Sequence, residues 1–366
     1  MSQQQAPSPP PSTPSTLASL AAQKLTRRTF SGAALMAVVA PMVTVRAQPK
    51  GERSKVTLGV AGKASLPHLP LTISEQLGYF RTEGVDVEIV DLGDGERALQ
   101  SMMSGVVQVG SGPFEHTIAA QARRQMLQSF VLQGRTPQLA FGVSTKSMPN
   151  YRHPRDLKGR RIGVAGPGTS STMMTHVVLS RAGLRPGDAT LVSVGSASAA
   201  LQALRSGQID AISSTDPVMT MLEQKGEVRI ISDTRTLRGT LDVFGGNMPA
   251  ACLYAPLEFI NKNPETCQAL ANAVVHGLKW LQTAGPGDII KTVPEAYLLG
   301  DRGLYLASFN KVRESISTDG LIPEDGPRTA LRALASMDAS VRASRIDLSK
   351  TFTNDFARRA KERFKA

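Results

Sequence analysis

Residues Arg161 to Ser180 read RIGVAGPGTSSTMMTHVVLS, and the fold follows from how that stretch must be laid out. Ile162 to Ala165 is a short apolar run ended by Gly166, Pro167 and Gly168. Thr169, Ser170, Ser171 and Thr172 then supply capping hydroxyls, and Met174, Val177, Val178 and Ala182 follow at helical spacing. The stretch is a strand, a tight turn and a helix start. The free N–H groups of such a helix, at the positive end of its dipole and beside a cluster of hydroxyls, suit an anionic or polar ligand. Each hydroxyl taken singly equally suits a plain helix cap.

Two better-known glycine loops do not fit. Gly163 to Ser170 has G-x-x-x-x-G spacing but puts Thr169 where a phosphate-binding lysine is needed. Gly166 and Gly168 begin a G-x-G whose third glycine position holds Ser171, and no acidic residue ends a following strand. Nucleotide sites of either kind are not expected.

The same pattern occurs twice. Gly59-Val60-Ala61-Gly62 returns as Gly163-Val164-Ala165-Gly166. Ala98-Leu99-Gln100 with Ser104-Gly105 returns as Ala200-Leu201-Gln202 with Ser206-Gly207. Each half alternates strand and helix, the pattern of a mainly parallel α/β unit with ligand loops at the carboxyl ends of its strands. Two such lobes would face each other across a cleft. The loop Gly110 to His116 corresponds to Ser213 to Pro217, and these two loops are expected to meet there.

Residues 1–23 are mostly Pro, Ser, Thr, Gln and Ala without a charged side chain, a composition that cannot build a core. Arg27-Arg28, the mildly apolar run Ala33 to Val45 and Val45-Arg46-Ala47 form a secretory signal of the twin-arginine type, with cleavage expected after Ala47. The apolar run is short for a bilayer span and contains Pro41 and Thr44. The expected organisation is a leader and signal at 1–47, a first lobe at 48–144, a second lobe at 145–235, and a return connection, completion of the first lobe and C-terminal helices at 236–366.

The formal charge is +12, and removal of Lys24, Arg27, Arg28 and Arg46 leaves about +8, spread along the chain. Few aromatics and no recognition module exclude a nucleic-acid role. Cys252 falls on an expected strand and Cys267 on an expected helix, with no disulfide expected. No Cys/His motif for zinc, haem or redox work occurs, and Asp91, Asp94 and Glu96 lack calcium-loop spacing. Neither a metal nor a cofactor is expected. Strands are expected at 56–60, 85–90, 106–109, 129–132, 139–144, 190–194, 211–213, 229–232 and 251–255. A long helix is expected from Pro264 to Thr283. Residues 235–249 read as a connection, and Phe352, Phe356, Ala360 and Phe364 form one stripe of a last docked helix.

The order of several stretches resembles the solute-binding proteins of ABC importers for nitrate, sulfonate and taurine, a family that includes thiamine-pyrimidine binders. They are Glu75-Gln76-Leu77-Gly78-Tyr79-Phe80, Glu83-Gly84-Val85-Asp86-Val87, Leu157 to Val164, Gly168-Thr169-Ser170-Ser171, Ala203 to Ala211 and Asn263-Pro264-Glu265. The resemblance covers about Lys55 to Leu281. It implies a two-lobed type II periplasmic binding fold that closes on a small sulfonate-, carboxylate- or pyrimidine-like solute. It further implies a periplasmic location and, as partners, a membrane permease with its ATPase and the twin-arginine translocase during export.

By matching loops, Thr169, Ser170, Ser171 and Ser196 would donate to the solute and Phe114 would cover its apolar part. Lys63 would supply a counter-charge to an anion. Asp216 would meet a cationic or amide group or only cap the helix after Pro217. Ser65, Asp94 and Glu115 complete the candidate set. The acidic pair Glu115 and Asp216 departs from an anion-selective lining. The cysteine-rich signature of the thiamine-pyrimidine synthases of this fold is absent, and no nucleophile and base are paired in the sequence, so the chain is expected not to be an enzyme. A twin-arginine-exported enzyme and a solute sensor are the alternatives.

Overall fold

The apolar runs pair into two five-stranded sheets in the computed structural model, which describes residues 54–366 other than Asp94, Ser196 and Leu299. The leader with its twin-arginine signal and the site candidates Asp94 and Ser196 lie outside the described residues. The first sheet contains β1 (Ser54–Val60), β2 (Val85–Asp91), β3 (Val109–Pro113), β4 (Leu127–Leu132) and β10 (Ala251–Pro256), in the order β2-β1-β3-β10-β4. The second contains β5 (Leu139–Ser144), β6 (Arg161–Val164), β7 (Thr190–Ser193), β8 (Ala211–Thr215) and β9 (Val228–Asp233), in the order β7-β6-β8-β5-β9. Matching β1, β2, β3, β10 and β4 to β6, β7, β8, β5 and β9 makes the two orders identical. The sequence repeat is therefore a repeat of topology.

β1 pairs parallel with β2 and β3, and β6 pairs parallel with β7 and β8. β10 and β5 run antiparallel to both of their neighbours. Each of these two is the first strand after a crossing between lobes, which is why it enters its sheet from the opposite end. This corrects the expected boundary at 144: the chain crosses at residues 133–138, and β5 is inserted between β8 and β9 of the second lobe. Sheet 1 is also entered later than expected, with β3 beginning at Val109 instead of Val106.

The repeated Gly-Val-Ala-Gly has a packing cause. A Cβ on Gly163 would lie 2.5 Å from Ile209 Cδ1, and one on Gly59 would lie 3.0 Å from Leu92 Cδ1 and 3.1 Å from Val107 Cγ2. Val107 and Ile209 are equivalent, each two residues before its strand and each with its N–H on a carbonyl of the preceding helix, Ser101 or Ala203, at 3.2 Å. The glycines admit the side chains that seal the sheet.

The helices of the first half are α1 (Leu69–Gln76), α2 (Tyr79–Thr82), α3 (Gly95–Met103) and α4 (Glu115–Ala122). Those of the second are α5 (Ser170–Arg181), α6 (Ala197–Arg205) and α7 (Val218–Gln224). The return connection contains α8 (Leu237–Phe244), capped by Thr236, whose hydroxyl accepts from Gly239 N at 3.0 Å, and ended by Gly245 at φ +71°. The glycines and proline around it obscure this helix in the sequence. There follow α9 (Leu257–Lys262), α10 (Pro264–Thr283), α11 (Pro286–Thr292), α12 (Arg302–Val312), α13 (Gly326–Met337), α14 (Ala339–Ala343) and α15 (Asp355–Phe364). α10 keeps the expected ends, with Pro264 in its first turn. α15 buries Phe356 and Ala360, whereas Phe352 precedes the helix and packs edge-on against Phe114.

Three apolar cores result. One joins β1, α1, α10 and α15 through Leu58, Leu71, Leu270, Val274 and Phe356. Another lies beneath the second sheet, with Leu204, Ile209, Met219 and Leu222. The third runs from Phe114 and Ile118 of α4 and its N-cap, through Met173, Met174 and Val178 of α5, to Ala330, Ala333 and Leu334 of α13. α13 thus touches both α4 of the first lobe and α5 of the second. At roughly 1.5–3 kcal/mol for each large apolar side chain buried, this continuous core holds the lobes together along one side of the cleft.

Candidate functional site

The segments after β3 and β6 meet where Ser170 bonds Glu115, outside the carboxyl ends of their strands, where open α/β sheets place their ligands. On the first lobe, Gly62 at φ +76° turns the chain so that Gly62 N and Lys63 N point at Asp91, at 2.9 and 2.8 Å, with Gly93 N at 3.0 Å. Burial alone would raise the Asp91 pKa, but these backbone donors outweigh it and hold the carboxylate below its ordinary value. The backbone anion nest of this lobe is filled by the protein's own carboxylate. Lys63 Nζ lies 2.8 Å from Glu75 Oε1, so its charge has a partner within the lobe. Ser65 N closes the turn on Gly62 O at 2.9 Å, and Ser65 precedes a single 3₁₀ turn, 66–68.

That turn delivers His68, which is buried, to Ser111 on β3: Nδ1 and Oγ are 3.0 Å apart. Gln133, just beyond β4, donates from Nε2 to the same Ser111 Oγ at 2.8 Å, while its Oε1 is buried without a hydrogen-bond partner. Beside it, Tyr254 of β10 lies over the β3 backbone, where a Cβ on Gly110 or Gly112 would come within 2.7 or 2.9 Å of the ring or hydroxyl. The Gly-Ser-Gly of β3 exists for this approach. Tyr254 Oη is 2.8 Å from His116 Nδ1. Burial pushes both His68 and His116 down to about 4. Ala61 and Asp91 oppose the shift at His68, and Arg123 adds to it at His116. Both imidazoles are neutral at pH 7. Burial raises the Tyr254 pKa and carries the Cys252 thiol up to about 12.

On the second lobe, Gly168 at φ +71° leads into α5. Thr169 is its N-cap: Oγ1 accepts from Thr172 N at 3.4 Å and donates to Gly166 O at 2.8 Å. Thr172 Oγ1 also donates to Gly166 O, at 2.6 Å, and Ser171 Oγ accepts from Ala165 N at 3.0 Å. Three of the four hydroxyls therefore hold the turn together. Ser170 alone reaches across the cleft, its Oγ donating to Glu115 Oε1 of α4 at 2.6 Å. Glu115 is buried, and burial raises its pKa against the lowering by Ser170 and its own backbone N–H.

The remaining candidates turn inward. Phe114 is fully buried, with its ring against Phe352, and offers no face to the cleft. Asp216 is buried in its own lobe, where Oδ1 accepts from Thr220 N at 2.7 Å and Oδ2 lies 3.3 Å from Arg235 Nη1, so it is a cap and an ion-pair partner. Glu115 of loop 110–116 thus bonds across to α5 instead of to loop 213–217. The sequence does not single out Ser111, Gln133, Tyr254 or Arg235. Ser111 is the repeat mate of Ser213, a signal that was available; Gln133 has no local motif. Among the described residues no group of three or more His, Cys, Asp or Glu is placed to hold a metal, and no helix is long and apolar enough to cross a membrane.

A family model described as NMT1/THI5 like matches residues 65–284. A solved structure of a protein from Bordetella bronchiseptica RB50 is 50% identical, covers 86% of this chain and 99% of its own, and superposes with a TM-score of 0.81. The alkanesulfonate-binding protein SsuA from Xanthomonas axonopodis pv. citri, bound to MOPS, is 19% identical over 83% of this chain and 99% of its own, with a TM-score of 0.65. The fold is that of the periplasmic binding proteins. The 4-amino-5-hydroxymethyl-2-methylpyrimidine phosphate synthase of Schizosaccharomyces pombe is 27% identical over 229 residues, 60% of this chain. The match spans 64% of that relative's length. Further curated relatives, from Saccharomyces cerevisiae, carry the same enzyme name. These relatives correct the expectation that the chain is not an enzyme. That expectation leaned on a missing cysteine signature, and overall similarity to named synthases persists without it.

Proposed function

The chain belongs to the NMT1/THI5-like family, and from that premise we propose that it captures a small polar organic solute between its lobes and presents it to a membrane permease driven by an ATPase. The observation that carries this reading is the meeting of α4 and α5 across the cleft, where Ser170 of one lobe bonds Glu115 of the other at 2.6 Å. A solute entering there touches both lobes at once, and its binding energy goes into their closure. Export through Arg27-Arg28 to the periplasm belongs to the same proposal. Replacing both arginines by lysine should leave the precursor in the cytoplasmic fraction.

The test is thermal unfolding of the full chain with sulfonates, carboxylates and pyrimidines in turn. A captured solute at about 100 times its Kd adds roughly 2.7 kcal/mol of stability. Absence of any shift across all three classes overturns the reading. The synthase relatives support a second reading, in which the cleft also alters its solute. Mass spectrometry of a bound compound after prolonged incubation separates the two: an unchanged compound supports capture alone, and a changed one supports catalysis.

A further inference from the structure

The hydrogen-bonding inventory of the cleft is lopsided. Several groups that would receive an anion are committed: the Gly62 and Lys63 N–H groups to Asp91, the Lys63 ammonium to Glu75, and the Thr169, Ser171 and Thr172 hydroxyls to their own turn. The buried carboxylate beside them has no cation among its hydrogen-bond partners. Glu115 is a buried carboxylate whose partner across the cleft is one neutral hydroxyl. Gln133 Oε1, just beyond β4 on the far side of β10, is fully buried without a donor. A buried acceptor left unpaired is costly, and a buried carboxylate without a cation more so.

We propose that Glu115 sets the selectivity of the cleft, and that the solute is a neutral or cationic molecule presenting N–H donors, to the exclusion of sulfonates and carboxylates. The inference rests on the capture reading and narrows its solute class. The incoming N–H group takes the place of Ser170 Oγ on the Glu115 carboxylate, and a cation there supplies the charge that burial denies it. An anion would instead meet the carboxylates of Glu115 and Asp91, with Lys63 already paired to Glu75. The raised Glu115 pKa accords with a carboxylate lacking its counter-charge.

The experiment is calorimetric titration of the full chain with four probes of one shape: benzamidine, benzamide, benzoate and benzenesulfonate. It is run on the native protein, Glu115→Gln and Ser170→Ala, each checked for unchanged unfolding cooperativity. Benzamidine should bind the native protein more tightly than either anion, lose about tenfold or more in Glu115→Gln, and tighten in Ser170→Ala, where the competing hydroxyl is gone. A purely structural role for the pair would move both variants in the same direction. Tighter binding of benzoate or benzenesulfonate by the native protein, or equal benzamidine affinity in all three proteins, overturns the selectivity while leaving capture standing. Silence from all four probes on all three proteins counts against capture itself and removes this inference with it.

Discussion

Arg235 is the most consequential charged side chain in the molecule, and its replacement by methionine has a calculable cost. Its guanidinium is 3% exposed and reaches Asp216 Oδ2 at 3.3 Å, Asp233 Oδ2 at 2.6 Å and Glu223 Oε2 at 3.3 Å. Asp233 and Glu223 are each 35% exposed and lose little when the cation goes, because water screens them and Glu223 keeps Lys311. Asp216 is 0% exposed and keeps only the Thr220 N–H. Stranding that one charge should dominate, at about 3–5 kcal/mol. With roughly 310 described residues and an unfolding entropy near 0.65 kcal/mol/K, Tm should fall by about 5–8 °C. Calorimetry and urea unfolding of Arg235→Met measure both. Adding Asp216→Asn should restore most of the loss, since it retains the cap on Thr220 and removes the stranded charge. A single variant that loses less than about 1 kcal/mol, or a double variant no better than the single, refutes the assignment of the cost to Asp216.

Other perturbations follow from the same geometry. His68 and His116 are held neutral, with pKa values of about 4 against 6.5 when unfolded. The unfolded chain then binds more protons between pH 6.5 and 4, so stability should fall as pH drops through that window, by up to about 3 kcal/mol for each histidine. Glu115, with its raised pKa, opposes the fall; urea unfolding at pH 7 and pH 5 measures the balance, and His68→Gln should remove about half of the histidine slope. Ser171→Ala deletes the buried acceptor of Ala165 N and should cost about 1–3 kcal/mol. Ser170→Ala removes the one side-chain donor to the buried Glu115 carboxylate and should also cost about 1–3 kcal/mol, read by denaturant unfolding. Gly163→Ala places a methyl 2.5 Å from Ile209 Cδ1 and should cost about 1–3 kcal/mol, with Ile209→Val recovering part of it in the same assay.

The repeated Gly-Val-Ala-Gly, the capping hydroxyls after Gly168 and the Pro264-initiated helix are local signals, and each became the element it predicted. They suffice for two α/β lobes because strand periodicity, caps and turns are set by neighbours in the chain. Short-range patterns could not say which lobe owns residues 139–144, since the pairing of β5 with β8 and β9 is a choice among distant edges. Nor could they separate hydroxyls that hold a turn from the one that crosses the cleft: Thr169, Ser170 and Ser171 are chemically alike, and only the rotation of α5 gives Ser170 to Glu115. Lys63, Phe114 and Asp216 look available in the sequence and are taken in the fold by Glu75, Phe352 and Arg235. What the sequence determined by itself was the architecture and the turns that follow β1, β3 and β6, because these depend on contacts a few residues apart. Tertiary structure alone decided which of these groups find partners beyond their own turn, because Glu75, Glu115 and Arg235 reach Lys63, Ser170 and Asp216 from other elements of the chain.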